Sequence, residues 1–520
     1  KCVKCGTVET DNLLQVIEAK VVDEYGRPTT TRKVSPAEWA EKFEKTRKDR
    51  IHKPGCDKRE LPANKYSIPG LAKQALVYCT RDALSKIANR QYILINLLGP
   101  PLLALLLAYF TRHSTGDAYI FRYNDNIWAY IFMCVITSMF FGLMISSEEI
   151  VKDRRILKRE AFLNLSWFSY LNSKITILFI ISVIQTLSFV LIGNSILGIK
   201  GMTFEYWLVL FTTACFANIL GLNISSAFRS VIVIYIIIPF ILIPQLLFSG
   251  VLIKFDKLNI SSSSSYEYVP VLGDLMTARW SFEALAVKQF KDNRYEKLFF
   301  EYDMEESRNE WYASFLVSDL EKKLQECLLY KDSADYQADV IDNFTKLDRY
   351  IDHLSLLAGT DPGPWKEKLD IETFNAGVEK QASLYLDSLK GYFHSRRNSA
   401  TRMKDSVKAS IISDCGKEEL VSLRNNYENE WLNERVLDID NREKIFESGD
   451  KIIRKYEPGF MKATSRFGRA HFYAPVKRIG SLETDTYVFN LLVIWLGSLI
   501  LYIALYFKLF RKAIGYFEKL

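Results

Sequence analysis

Ser146–Glu160 reads Ser-Ser-Glu-Glu-Ile-Val-Lys-Asp-Arg-Arg-Ile-Leu-Lys-Arg-Glu and lies between two long apolar runs. A charged segment this short has no room for a domain of its own, so we expect it to form a tight turn at the face of a membrane. Its excess of lysine and arginine predicts that this face is cytoplasmic, because short cytoplasmic loops are enriched in basic residues.

The composition is typical of a membrane protein with a large polar part. Of the 520 residues, 49% are hydrophobic and 25% are charged, so very apolar and very polar blocks share one chain. The net charge of +7 is small, and many of the basic residues flank apolar runs. Nucleic-acid binding is therefore excluded as an interpretation, because it would need a concentrated basic surface.

Six apolar runs are long enough to cross a bilayer, for which a helix needs about 20 residues. They are Tyr92–Phe110, Ile127–Ile145, Trp167–Ile192, Phe204–Ser226, Val231–Leu252 and Tyr487–Phe507. The alternative, buried helices of a large soluble protein, does not explain the charges that flank these runs. The sequence thus predicts an all-α membrane protein with six transmembrane helices.

Basic residues also predict the topology. Lysine and arginine are abundant before the first run, in the turn after the second, and at Lys508, Arg511 and Lys512 after the last. Six spans with both termini in the cytoplasm satisfy this distribution. Residues 254–486 would then form a large extracytoplasmic insertion between the fifth and sixth spans. Helical periodicity around Trp311, Leu316 and Leu320 predicts that the insertion is mostly helical.

Two groups of cysteines leave alternatives open. Cys327 and Cys415 are the two in the insertion, and in an oxidising compartment they could form one disulfide or remain free. A second group has part of a zinc-site pattern, although its spacing is longer than zinc ribbons use, which favours free thiols. This group consists of Cys2, Cys5, His52 and Cys56.

Four stretches, in this order, resemble the membrane half of an ABC transporter of the G-subfamily, or type-2 exporter, kind. Leu71–Arg90 is amphipathic and resembles the connecting helix that lies along the inner membrane surface. Glu148–Glu160 resembles the coupling helix. Phe248–Ile253 contains the Phe-Ser-Gly signature that closes the fifth span, and Ala278–Leu285 resembles the Arg-Trp-x-x-Glu-Ala stretch just outside the membrane.

The resemblance implies roles for individual residues. The coupling helix would receive force from a nucleotide-binding domain through Glu149, Asp153, Arg154, Arg155, Arg159 and Glu160. The substrate cavity would be lined by Thr137, Ser138, Phe140, Phe141 and Ile243. Val251 and Leu252 match the apolar pair that forms a valve above that cavity, although the family has leucine at the first position.

The resemblance further implies an ATP-driven exporter subunit that moves an amphipathic or lipid-like substrate by alternating access. Its partners would be a nucleotide-binding domain, a second copy of itself and the lipid bilayer. The chain contains no Gly-x-x-x-x-Gly-Lys-Ser/Thr loop and no signature motif, so we expect no enzyme activity and no cofactor in it. ATP and Mg would bind the partner domain.

The resemblance also implies a domain order and a cellular location. Residues 1–66 would follow a nucleotide-binding domain in the cytoplasm, and 67–253 would hold the connecting helix and spans one to five. Residues 254–486 would form the helical insertion, and 487–520 the sixth span with a cytoplasmic tail. The chain would be the C-terminal part of a bacterial ATP-binding and permease fusion. A bacterial inner membrane is also favoured by the sequence itself, which is rich neither in glycosylation sequons nor in cysteines that could form disulfides.

The insertion departs from the family, whose corresponding loop is several times shorter. It could bind an extracytoplasmic protein partner. A membrane-anchored scaffold or mechanotransmission protein that works through the insertion is therefore the alternative function. A membrane-embedded enzyme is disfavoured, because the six runs contain almost no ionisable residues that could act as acids, bases or metal ligands.

Overall fold

The computed structural model describes residues 10–24, 26–50, 69–113, 118–160, 163, 165–259 and 267–517. The chain divides into two compact units, Lys1–Ile68 and Pro69–Leu520. In the first unit, an antiparallel pair of strands lies between two helices in the sequence. Its elements are α1 (Thr10–Glu18), β1 (Lys20–Val22), β2 (Pro28–Arg32) and α2 (Pro36–Arg50).

The second unit begins with a series of mostly apolar helices. They are α3 (Leu71–Ala88), α4 (Arg90–Thr111), α5 (Ile127–Ser146), α6 (Glu149–Glu160), α7 (Trp167–Leu197), α8 (Thr203–Ala227) and α9 (Val231–Leu247). Local signals explain several of their ends. Ser166 caps α7 by accepting a hydrogen bond from the backbone N–H of Ser169, and Gly198 ends that helix with a φ of 69°.

Among the described residues, five helices are long and apolar enough to cross a membrane: α4, the continuous stretch from α5 through α6, α7, α8, and a helix at 486–506. The fifth predicted span is shorter than the apolar run suggested, because α9 has 17 residues and ends at Leu247. Gly250 follows with a φ of 78°, and a Cβ there would lie 2.3 Å from the ring of Phe255. The chain therefore turns before Leu252 instead of continuing as helix.

Two helices come next, α10 (Val271–Asp274) and α11 (Thr277–Lys291). Although α11 lies within the predicted insertion, it packs against α5, α8 and the 486–506 helix, and nearly all of its side chains are buried. The packing of the membrane helices thus extends into the sequence expected to form a separate domain.

The rest of the insertion is mostly helical, as its periodicity predicted, with short strands near its end. Its helices are α12 (Phe300–Glu310), a π-helical segment (Trp311–Leu316), α13 (Val317–Tyr330), α14 (Gln337–Ala358), α15 (Ala376–Cys415), α16 (Lys417–Tyr427) and α17 (Glu430–Leu437). Two antiparallel hairpins follow, β3 (Ile445–Ser448) with β4 (Lys451–Arg454) and β5 (Val476–Ile479) with β6 (Leu482–Asp485). The chain returns through α18 (Thr486–Tyr506) and α19 (Leu509–Phe517).

Two hydrophobic cores organise this unit. One joins α5, α8 and α11 to residues of the insertion such as Val436 and Tyr473. The other lies inside the insertion and is built from α13, α14 and α15, with Ile452 of β4 at its edge. The insertion therefore has a core of its own and is also packed directly onto the membrane helices.

Candidate functional site

The charged segment that follows α5 is a helix fastened to the end of a neighbouring helix. Only Ser147 and Glu148 separate α5 from α6. At the start of α6, the backbone N–H groups of Ile150 and Val151 donate to Oγ of Ser225 in α8, at 3.0 and 3.1 Å. A side chain of another helix thus satisfies donors that a helix N-terminus leaves unpaired.

A buried ionic cluster joins α6 to α3 and α7. Nζ of Lys174 in α7 lies 2.6 Å from Asp82, 2.8 Å from Glu149 and 2.9 Å from Asp153. Nζ of Lys86 in α3 lies 2.6 Å from Glu149 and 3.1 Å from Asp82. We call these five residues the Lys174 cluster. Since its members come from three helices, it holds those helices together at one point.

Opposite charges within the Lys174 cluster stabilise one another, with two ammonium groups among three carboxylates. Burial opposes ionisation of Asp82, but Lys174 and Lys86 outweigh it and hold the pKa of Asp82 below its usual range. The hydroxyl of Tyr170 donates to Asp153 at 3.0 Å. Removing one partner of such a buried group leaves the others charged and unpaired, which typically costs about 3–5 kcal/mol.

The six predicted coupling residues fall on two different faces of α6. Glu149 and Asp153 belong to the Lys174 cluster. Arg154 donates to the backbone oxygens of Ser226 and Phe228 at 3.2 and 2.9 Å, where α8 ends. Glu160 pairs with Arg81 of α3 at 2.8 Å.

The two remaining coupling residues, Arg155 and Arg159, are exposed, as are the neighbouring Lys152 and Lys158. Four of the six predicted residues therefore attach α6 to the bundle. The other two face away from it, on a basic surface formed by Lys152, Arg155, Lys158 and Arg159, which we call the outer face of α6.

The residues predicted to line a substrate cavity differ in how far they are exposed within one copy of the chain. Ser138 is buried and donates to the backbone oxygen of Leu210 in α8 at 2.6 Å. Thr137 is half-buried, and the half-buried Phe141 lies beside Gly99 of α4. Phe140 and Ile243 are exposed on the surface of the bundle.

The predicted valve residues differ from each other in how far their side chains are exposed. Oγ of Ser249 accepts a hydrogen bond from the backbone N–H of Val251 at 3.2 Å and shapes the turn after α9. Val251 is half-buried and contacts a large cavity beneath the insertion, whereas Leu252 is exposed. The assignment of these two residues as a valve stays a prediction.

The alternatives left open for the cysteines are partly decided. Cys327 is buried in the core of the insertion, with its Sγ directed to the backbone oxygen of Val340, and Cys415 is exposed at the end of α15. Both are free, so the predicted disulfide is not formed. The candidate zinc residues Cys2, Cys5, His52 and Cys56 lie outside the described residues. Within the described residues, no group of three or more histidine, cysteine or acidic side chains could hold a metal ion.

Sequence reasoning missed the partners that lie far away in the chain. Lys174 could be taken for a lysine near the end of a span that reaches water, but it is buried and contacts Asp82, 92 residues earlier. The signal was present in part, since Asp82 and Lys86 are spaced one helical turn apart on α3. Their partners on α6 and α7 could not be assigned without the packing of the helices.

A second buried ionic cluster was missed in the same way. Glu283 of α11 accepts hydrogen bonds from Lys477 of β5 at 2.6 Å and from Asn490 of α18 at 2.8 Å. Arg279 lies 3.5 Å from the same carboxylate. Burial opposes the charge of Glu283, but Arg279 and Lys477 hold its pKa below the usual range. These contacts fasten the end of the insertion to the membrane helices.

Comparison with known protein families covers the part of the chain that contains this site. Residues 73–286 match the protein family described as ABC-2 type transporter. The match runs from α3 to α11 and includes every member of the Lys174 cluster. No curated protein matches the chain. Residues 73–286 are therefore the membrane domain of an ABC-2 type transporter, and the protein is a multi-pass integral membrane subunit of an ABC transporter.

Proposed function

We propose that the protein is the membrane half of an ATP-driven exporter that moves an amphipathic or lipid-like substrate outwards by alternating access. ATP and Mg bind a nucleotide-binding domain that is either fused to this chain or encoded separately. Two copies of the chain form the transporter. In this proposal α9 is the fifth of six spans, since a helix of 17 residues is about 25 Å long and can cross a thin or locally adapted bilayer.

The division of α6 into two faces is the observation that carries the proposal. One face is joined to α3 and α7 through the Lys174 cluster, so a force on α6 is passed to both helices. The other face presents Arg155 and Arg159, which can pair with carboxylates of a soluble partner. A helix that is attached on one side and open on the other has the geometry needed to couple a nucleotide-binding domain to the spans.

The basic outer face of α6 supports the assignment of this end of the helix bundle to the cytoplasmic side of the membrane. Both termini are then cytoplasmic, and the insertion is extracytoplasmic. We assign the protein to a bacterial inner membrane, because the insertion is rich neither in cysteines nor in glycosylation sequons.

Exposed apolar side chains support the proposal that two copies of the chain assemble. Phe140 and Ile243 are exposed on the surface of the helix bundle in one copy. A second copy would bring two sets of these residues together around a shared axis and form an apolar cavity. Such a cavity suits the hydrocarbon part of an amphipathic substrate.

Cross-linking in membranes tests the coupling assignment. A single cysteine replaces Arg155 on the outer face of α6 in a cysteine-depleted chain, together with the nucleotide-binding domain. We expect a cross-link between the two whose yield changes when ATP is added, because nucleotide binding rearranges the contact.

A cysteine at Glu301, which is exposed in the insertion, is the matched control. It should not cross-link to the nucleotide-binding domain and should not react with a reagent confined to the cytoplasm. If Arg155→Cys reacts freely in both nucleotide states and never cross-links, the coupling assignment is wrong. The function would then be that of an anchored scaffold working through the insertion.

A further inference from the structure

A cavity of about 1040 Å³ separates the two hydrophobic cores of the second unit. Trp128 at the start of α5 and Val251 after α9 line it on the side of the membrane helices. The insertion lines the other side with the π-helical segment, α14 and β4. Its volume is at the upper end of the range found for small-molecule sites.

The wall of this cavity combines aromatic rings with an excess of positive charge. Among the described residues that line it, nine are phenylalanine, tyrosine or tryptophan, eight are lysine or arginine, and five are aspartate or glutamate. Trp311 and Tyr312 come from the π-helical segment, an uncommon structure that is frequent at functional sites. The aromatic surface suits an apolar group, and the charge balance favours an anion.

Most of the charged residues in the wall already have an ion-pair partner, either within the wall or beside it. Lys254 pairs with Asp438, Lys451 lies 3.4 Å from Glu267, and Arg308 lies 3.8 Å from Glu305. Arg349 has an acidic partner of its own, Asp450. These pairs neutralise much of the wall and leave few cations free to bind a ligand.

Arg454 of β4 is one of the lining cations that form no ion pair among the described residues. Its two hydrogen bonds go to neutral oxygens, from Nη2 to Oγ of Ser307 at 2.6 Å and from Nε to the backbone oxygen of Tyr456 at 2.9 Å. Among the described residues, no carboxylate lies at ion-pair distance from it. Burial lowers the pKa of Arg454 to about 10, and the negative charge of Glu457, which lies beyond ion-pair distance, offsets this effect only in part. Its Cζ lies 5.9 Å from the ring centroid of Trp311, within the range of a cation–π contact.

We propose that this cavity binds an anionic amphiphile, with a carboxylate or phosphate head group at Arg454 and a hydrocarbon chain against the aromatic wall. The guanidinium offers the fork of donors that such head groups accept. The proposal does not require transport, since it concerns a site formed by the insertion and the outer ends of the membrane helices.

Photolabelling of the full chain in nanodiscs, without any nucleotide-binding domain, tests the proposal. The probe is a long-chain fatty acid that carries a diazirine on its hydrocarbon chain, and labelled peptides are identified by mass spectrometry. We expect labelling of peptides that contain Trp311 or Phe472, which lie outside the membrane-spanning helices. Dodecanoate and dodecyl phosphate should compete, whereas dodecanol and inorganic phosphate should not, because each lacks one half of the amphiphile. If only one of the two anions competes, that anion identifies the head group.

Variants of the cavity wall supply the controls. Arg454→Gln should reduce labelling of the cavity peptides about tenfold or more, the effect of losing one charge-assisted hydrogen bond. Arg349→Gln changes a cavity residue that already has an acidic partner, so labelling should stay within about twofold of the unmodified protein. Met304→Trp should block the space and abolish labelling while leaving Arg454 in place.

Three results would overturn the proposal. These are labelling confined to the membrane-spanning helices, equal labelling in Arg454→Gln and Arg349→Gln, or full labelling in Met304→Trp. A thermal unfolding curve of each variant distinguishes loss of the site from loss of the fold. Binding without transport would leave this site intact while removing the exporter assignment.

Discussion

At the scale of single residues, Lys174 decides how three helices meet. Its ammonium group contacts carboxylates of α3 and α6, and only 4% of the residue is exposed. Its position in an apolar run predicts a residue that reaches towards water. The structure instead uses it as the shared partner of three acidic groups, which a single sequence position cannot reveal.

Lys174→Gln should therefore lower the free energy of unfolding by about 3–5 kcal/mol, because Asp82, Glu149 and Asp153 lose their common cation. Denaturation of the purified protein in detergent measures the change. Lys158→Gln on the outer face of α6 is the matched control and should stay within about 0.5 kcal/mol. Equal effects of the two substitutions would show that the Lys174 cluster does not stabilise the fold. Adding Asp82→Asn to Lys174→Gln should restore part of the loss.

Glu296, in the turn after α11, predicts a dependence of stability on pH. Burial raises its pKa to about 8, and the nearby Glu428 and Asp303 add to the effect. An unfolded glutamate has a pKa of about 4.3, so between about pH 4.3 and 8 the folded state binds a proton that the unfolded state releases. Stability should consequently fall as the pH rises through that window.

Glu296→Gln should remove this pH dependence. The stability of the variant, compared with that of the unmodified protein at the same pH, should therefore be higher at pH 8 than at pH 5. Unfolding curves at several pH values measure the difference. Glu301→Gln, which changes an exposed carboxylate five residues later, should leave the slope unchanged. A slope that persists in Glu296→Gln would mean that another group is responsible.

At the scale of elements, the charge pattern of α6 predicts the helix but not which of its charged residues face the bundle. The sequence predicts a short charged segment between two spans and, through the family resemblance, a set of six coupling residues. The structure confirms the helix. Contacts with α3, α7 and α8 decide which charged residues of α6 face the helix bundle. These residues are Glu149, Asp153, Arg154 and Glu160. Arg155 and Arg159 are exposed because the rotation of α6 leaves them without such partners.

The contact between α5 and α8 depends on a glycine. A Cβ at Gly142 would lie 2.7 Å from Cβ of Ala217 and 2.8 Å from the backbone oxygen of Ala214, so the helices would have to separate. Gly142→Ala should therefore cost about 1–3 kcal/mol, the usual effect of overpacking a buried site.

Gly391→Ala provides a control with the same chemical change and the opposite expected sign. Gly391 is an exposed residue of α15 with nothing within 4 Å of an added Cβ, so alanine should stabilise the protein by about 0.5–1 kcal/mol. Thermal unfolding measures both variants. If Gly142→Ala also stabilises the protein, the helices are not packed as closely as described.

At the scale of the whole molecule, the insertion is part of the membrane unit. Lys477 and Tyr473 follow the helical core of the insertion in sequence, yet they contact Glu283 and the membrane helices. The insertion was expected to form a domain with bounds at 254 and 486. The bounds do not mark a physical separation, because α11 lies among the spans and β5 is joined to it by a buried ion pair.

Two deletions should therefore differ in their effect. Removal of residues 291–482 takes away Lys477, the closer of the two cations that contact Glu283, and leaves Arg279 as the other, so we expect the membrane unit to be strongly destabilised. Replacement of residues 314–392 with a short glycine and serine linker should be tolerated. Its ends lie close together, since the rings of Tyr312 and Phe393 are 5.0 Å apart, and Lys477 remains. Size-exclusion profiles and melting temperatures in detergent compare the two. Equal stability of the two deletion variants would contradict a stabilising role for Lys477.

The sequence by itself determined that the chain crosses a membrane several times, that a charged helix follows the second span, and that the insertion is mostly helical. These are local properties, since the length of an apolar run and the spacing of its residues do not depend on distant parts of the chain. The tertiary structure alone decided that Lys174 meets Asp82, that Glu283 meets Lys477, and that a cavity opens beneath the insertion. Each of these needs helices from distant segments to pack in one arrangement, and a buried charge is stable only where that packing supplies its partner.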